Sequence, residues 1–188
     1  MSGSFMNNFV LNRENTAIVV VDIQEKLAVA MSRHQNVIDN CLHLIELAKM
    51  LDIPVLVTEQ YPKGLGPTVA EIRESLPVYK PIEKLAFNCC DAPDFSAELR
   101  QVCRPKVVVV GMETHICVLQ TTLGLIQEGY DPHIVSDAVC SRVDDNWRVG
   151  LEFMRDAGAA ITCTETVLFQ LLGAAGSAEF KAISKRIK

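Results

Sequence analysis

A chain of 188 residues with 49% hydrophobic composition fits one domain able to bury roughly 70% of its unfolded surface. Its 18 Lys and Arg against 23 Asp and Glu leave a net charge of -5, so it lacks the basic footprint for binding nucleic acid or an anionic membrane. No apolar run approaches the roughly 18 residues of a bilayer span, no signal-peptide pattern opens the sequence, and the seven cysteines show no C-x-x-C spacing; a cytoplasmic protein with reduced thiols is expected.

Residues 1–13 are polar and mixed and read as an N-terminal arm, with Phe5, Phe9 and Val10 as anchors onto a neighbour or a partner subunit; the domain proper occupies 14–188. Thr16 to Val21 is an unbroken apolar run rich in β-branched residues and closes on Asp22, the pattern of a central parallel strand covered on both faces. Val37, Ile38, Cys41, Leu42, Ile45, Ala48 and Leu51 trace a helix face, and Pro54 then introduces a second strand, Val55 to Thr58. Glu59 to Thr68 is too rich in Gly and Pro for regular structure and is expected to loop over the site.

A short helix is expected from Thr68 to Leu76, after which Val78 to Asn88 carries Lys84 and Phe87, and Pro93 starts another helix. Val107 to Val110 reads as a buried strand, punctuated by Gly111. Beyond it Thr114 is a suitable N-cap and Val118, Thr121, Thr122, Leu125 and Ile126 recur at helical spacing. Gly129 ends that helix, His133 to Ala138 reads as a fifth strand with Asp137 near its end, Asp144 to Ala157 as a helix and Ala160 to Thr162 as a sixth strand. Strands alternating with helices in this way give an α/β fold, a three-layer doubly wound sheet of six mainly parallel strands with helices on both faces. Ligands bind such sheets beyond the carboxyl ends of the strands, where both Asp22 and Cys117 fall.

The spacing places Cys117 in the first turn of a helix, where unpaired N–H groups and the positive end of the dipole favour a thiolate and can hold a developing oxyanion. The sequence carries neither Gly-x-Gly-x-x-Gly after the first strand nor a P-loop, so a hydrolytic or transfer site fits better than a nucleotide site. By local pattern Lys84 is an ordinary solvated lysine. His115 lies two residues before Cys117, but adjacent turn positions point their side chains apart.

Three stretches in order, Val20-Val21-Asp22-Ile23-Gln24, Lys84-Leu85-Ala86-Phe87-Asn88 and Gly111-Met112-Glu113-Thr114-His115-Ile116-Cys117-Val118, resemble the isochorismatase-like cysteine hydrolases. The resemblance runs from about residue 15 to 172, and the loop Thr58 to Thr68 is most similar to the isochorismatase domain-containing subgroup. It implies the Rossmann-like fold of that family and an Asp-Lys-Cys triad of Asp22, Lys84 and Cys117. It implies further a non-proline cis peptide at Met112–Glu113 and an oxyanion hole formed by the backbone N–H groups of Glu113 and Cys117.

The activity implied is hydrolysis of a small amide, ester or related carbonyl substrate through a thioacyl-enzyme, by a homo-oligomer, dimeric or larger. Gln24, Tyr61 and Phe87 are candidates for lining the substrate pocket. Metal-dependent members carry an Asp-x-His after the second strand; here that stretch reads Gln60-Tyr61-Pro62, so neither metal nor other cofactor is expected. Two alternatives stay open on sequence: a catalytically silent binding or scaffold protein with the same fold, and a redox sensor using Cys117, for which spacing supplies no resolving cysteine.

Overall fold

The computed structural model describes residues 8–188; Phe5 and the rest of 1–7 lie outside the described residues. The elements, in order, are β1 (Thr16–Val21), α1 (Glu25–Ala28), α2 (His34–Leu51), β2 (Val55–Gln60), α3 (Pro62–Leu65), α4 (Ala70–Ser75), β3 (Ile82–Lys84), α5 (Pro93–Val102), β4 (Lys106–Met112), α6 (Leu119–Gln127), β5 (Asp131–Cys140), α7 (Asp144–Asp156), β6 (Ala160–Thr162), α8 (Thr164–Leu172) and α9 (Ala178–Arg186). All pairings within the six-stranded sheet are parallel and the strand order is β3-β2-β1-β4-β5-β6.

The two-residue period of β1 explains its composition. Ile18 and Val20 enter a core shared with Val37, Ile38 and Cys41 of α2 and with Val167 and Leu168 of α8. Val19 and Val21 enter the opposite core with Phe95 and Leu99 of α5, Leu125 of α6 and Met154 of α7. Every residue of β1 and β4 is buried, so neither strand shows the apolar-polar alternation of a sheet with one wet face.

This strand order reverses direction between β1 and β4, and the crevice at that switch point is where doubly wound sheets bind ligands. The backbones there are close: Val21 pairs with Gly111, whose φ is +129°, and a Cβ on Gly111 would fall 1.9 Å from the Val21 carbonyl oxygen. Only glycine fits.

Residues 8–13 are tied to the opposite edge. Leu11 is buried and its N–H donates to Gln170, while the Val10 carbonyl accepts from Lys106 and the Asn8 carbonyl contacts His133. Three elements depart from expectation. Strand β2 continues to Gln60, and the Gly-Pro stretch contains a helical turn, α3. Strand β5 runs to Cys140 through a bulge around Ser136 and Asp137, and Asp137 there accepts from both N–H and Oγ1 of Thr164, capping α8 (2.8 and 2.9 Å). No helix among the described residues is long and apolar enough to cross a membrane.

Candidate active site

At the switch point, Asp22 follows β1 with φ +51°, a left-handed conformation that aspartate tolerates better than most residues. It is fully buried. Its Oδ2 accepts from Lys84 Nζ at 2.7 Å and its Oδ1 from Thr58 Oγ1 at 2.7 Å. Lys84, the last residue of β3, reaches across the end of β2 to make this ion pair, in which neither side chain is exposed. Its ammonium also donates to Gln60 Oε1 at 2.9 Å and more weakly to the carbonyls of Ala86 and Phe87. The lysine that local pattern leaves in solvent is thus held by four acceptors.

Cys117 belongs to a π-helical turn, Thr114–Val118, that precedes α6. Its N-cap is Glu113, not Thr114, whose buried hydroxyl has no hydrogen-bond partner among the described residues. The peptide bond between Met112 and Glu113 is cis. Cys117 is 5% exposed, and its thiol lies near enough to Asp22 and Lys84 to feel both charges.

Burial sets the electrostatics. It raises the Cys117 thiol above its ordinary range, the Asp22 charge raises it further, and the opposing pull of Lys84 does not compensate. The expectation of a thiolate stabilised at a helix start is therefore corrected: desolvation wins and the resting group is a thiol. For Lys84, burial alone acts downward, but Asp22 and the neighbouring thiol positions outweigh it, so the ammonium is held above its ordinary value.

The other sequence candidates are placed elsewhere. Gln24 is fully buried. Its Nε2 donates to the carbonyls of Gln60 and Gly66 and its Oε1 accepts the Gln60 N–H, so it clamps the Gly-Pro loop to β2 instead of lining a pocket. Gln24→Ala is expected to destabilise the fold by about 2 kcal/mol by stranding these backbone groups, read as a lower urea midpoint with unchanged slope. Tyr61 lies with its ring over Gly64 and lines, with Pro62, Lys63, Glu83, Lys84 and Leu85, a cavity of about 380 Å³ beside β3. Phe87 is exposed, and only its carbonyl reaches Lys84. The Glu113 carboxylate is taken by the N–H and Nε of Arg142, and His115 is engaged by Ser141 Oγ at 2.9 Å.

Three participants escape the sequence reading: Thr58, Gln60 and Cys89. Thr58 and Gln60 share a face at the end of β2, and Thr58 pairs with Val21, one residue from Asp22, so the two-residue strand period alone would have marked them. Cys89 lies in a 3-10 turn, Cys89–Asp91, with no local signal. Among the described residues no cluster of three or more His, Cys, Asp and Glu is placed to hold a metal ion, and Gln60 at the start of the loop is occupied by Lys84 and the Leu85 carbonyl.

Residues 16–166 match the family model of the isochorismatase domain. The chain is 41% identical over 179 residues to the secreted isochorismatase effector Isc1 of Phytophthora sojae, covering 93% of this chain and 85% of that protein. It is 36% identical over 179 residues to isochorismatase domain-containing protein 2 of Xenopus laevis, covering 94% and 85%. The structure of MAR1 ribonuclease from Caenorhabditis elegans is 38% identical, with a TM-score of 0.88 over 95% of this chain and 92% of that one. In fold alone, the YcaC gene product of Escherichia coli, an octameric hydrolase of unknown specificity, is similar with a TM-score of 0.88 at 24% identity over 95% and 90%.

Proposed function

This chain belongs to the isochorismatase family, and from that premise we propose that it is a cysteine-dependent hydrolase of a small amide, ester or related carbonyl compound that works without a metal. One observation carries the reading: a buried Asp22–Lys84 ion pair whose two charges both act on the neighbouring Cys117 thiol.

With the thiol protonated at rest, the proton passes to Asp22 as Sγ attacks the substrate carbonyl. Lys84 pairs with the carboxylate, and its positive charge offsets the charge rearrangement as the proton moves. The tetrahedral oxygen is received by the backbone N–H groups of Glu113 and Cys117. Collapse of the intermediate expels the amine or alcohol, protonated by Asp22, and leaves a thioester. Water, deprotonated by Asp22, then attacks the thioester and restores the thiol.

The name of the C. elegans structure raises RNA as a substrate. A net charge of -5 supplies no phosphate-tracking surface, and a carboxylate beside the nucleophile repels a phosphodiester. A homo-oligomer is proposed because Tyr61, Leu85 and Phe87 expose apolar surface around the edge of the site. A cytoplasmic setting is proposed because all seven cysteines are unpaired.

Low exposure of Cys117 and full burial of Asp22 also favour a second reading, a silent binding protein. Iodoacetamide labelling across pH, with the modified residue located by mass spectrometry, separates the two. In the hydrolase, Cys117 is labelled at neutral pH by transfer of its proton to Asp22. Asp22→Asn removes that proton acceptor, leaving a rate that simply rises with thiol ionisation into the alkaline range. Identical profiles for the two proteins would overturn the proposed mechanism and favour the binding protein.

A further inference from the structure

The hydrogen bonds behind the triad run in one direction. An ionised Asp22 paired with Lys84 is acceptor-only, so in the 2.7 Å contact with Oδ1 the Thr58 hydroxyl donates. The Thr58 oxygen in turn accepts from the Cys89 thiol, 3.8 Å away, and the Cys89 N–H is anchored on Thr121 Oγ1 at 3.0 Å. Thr58 and Cys89 are completely buried, so water does not compete for either contact. Burial holds Cys89 up to about 11, which keeps its S–H available as a donor.

We propose that Thr58 is a positioning residue for the acid–base step: its hydroxyl fixes Asp22 Oδ1 while Lys84 fixes Oδ2, locking the carboxylate in the orientation that meets the Cys117 thiol. Cys89 sets which way the hydroxyl proton points. The inference rests on the proposed hydrolase reading, since it assigns Thr58 a role only through Asp22. Two donors on two oxygens define the plane of a carboxylate; one donor leaves it free to turn about the Cβ–Cγ bond. The groups facing Asp22 are Lys84 from β3, Thr58 from β2, Cys117 from the π turn and, through Thr58, Cys89 from the 3-10 turn.

The test is the labelling profile of Cys117 with iodoacetamide in the full chain, compared among wild type, Thr58→Val, Thr58→Ser and Asp22→Asn. Without that donor the carboxylate is free to turn away from Cys117, so Thr58→Val is expected to slow labelling of Cys117. Neutral-pH labelling should fall several-fold, and Thr58→Ser should restore the wild-type profile. A purely structural threonine would lower stability without changing the labelling profile of the folded protein. If the valine variant does not fold, Thr58→Ala removes the same hydroxyl with less crowding. A wild-type profile in the variants lacking the hydroxyl, with Asp22→Asn still altered, overturns the role of Thr58 alone. No change with Asp22→Asn overturns the hydrolase reading beneath it.

Discussion

Cys117→Ala is expected to lower turnover of any amide or ester that the wild-type protein hydrolyses by about 10^4-fold or more, with the folded state unchanged by circular dichroism and urea unfolding. In the proposed mechanism the thiol, and not the buried Thr58 hydroxyl or the Lys84 ammonium, attacks the carbonyl and hands its proton to Asp22. Its removal leaves oriented backbone donors and a buried ion pair but nothing to form the thioester. Asp22→Asn should lose about 10^2- to 10^4-fold, because the amide can neither take the thiol proton nor give one to the leaving group. In the proposed mechanism the two residues act in one proton transfer, so the double variant should be no slower than Cys117→Ala. Retained turnover in Cys117→Ala would remove the nucleophile from the mechanism.

Much of this site is written at the ends of strands. Unbroken runs such as Val19-Val20-Val21 and Val107 to Val110 are readable because a central parallel strand feeds two cores at once, and that placement put Asp22 and Cys117 at one edge. Lys84 was legible only through resemblance, because its strand has three residues and its role depends on a side chain crossing β2 to a partner 62 positions earlier. Gln24 lies in the same stretch as Asp22 yet its amide mimics a strand partner for Gln60, which no spacing rule reveals. The state of Cys117 was misjudged for a further reason. A helix start stabilises an anion through partial charges, while desolvation acts on the whole charge, and burial was not visible in the pattern.

Lys84→Met should destabilise the protein by about 3–5 kcal/mol, because it leaves the Asp22 carboxylate buried with its cation removed. In a chain of this size that corresponds to a fall in Tm of roughly 6–20 °C. Asp22→Asn with Lys84→Met removes both charges and keeps at position 22 a residue that tolerates positive φ, so most of the loss should be regained. Activity should be absent in both. The contrast separates what the pair does for folding from what it does for chemistry. A buried ion pair recovers in mutual attraction little more than it loses in hydration, so a neutral pair packs about as well. Only the charged pair gives a thiol at this depth somewhere to send its proton. If Lys84→Met unfolds at the wild-type urea concentration, losing the cation costs the fold nothing, and the dependence of buried Asp22 on Lys84 is overturned.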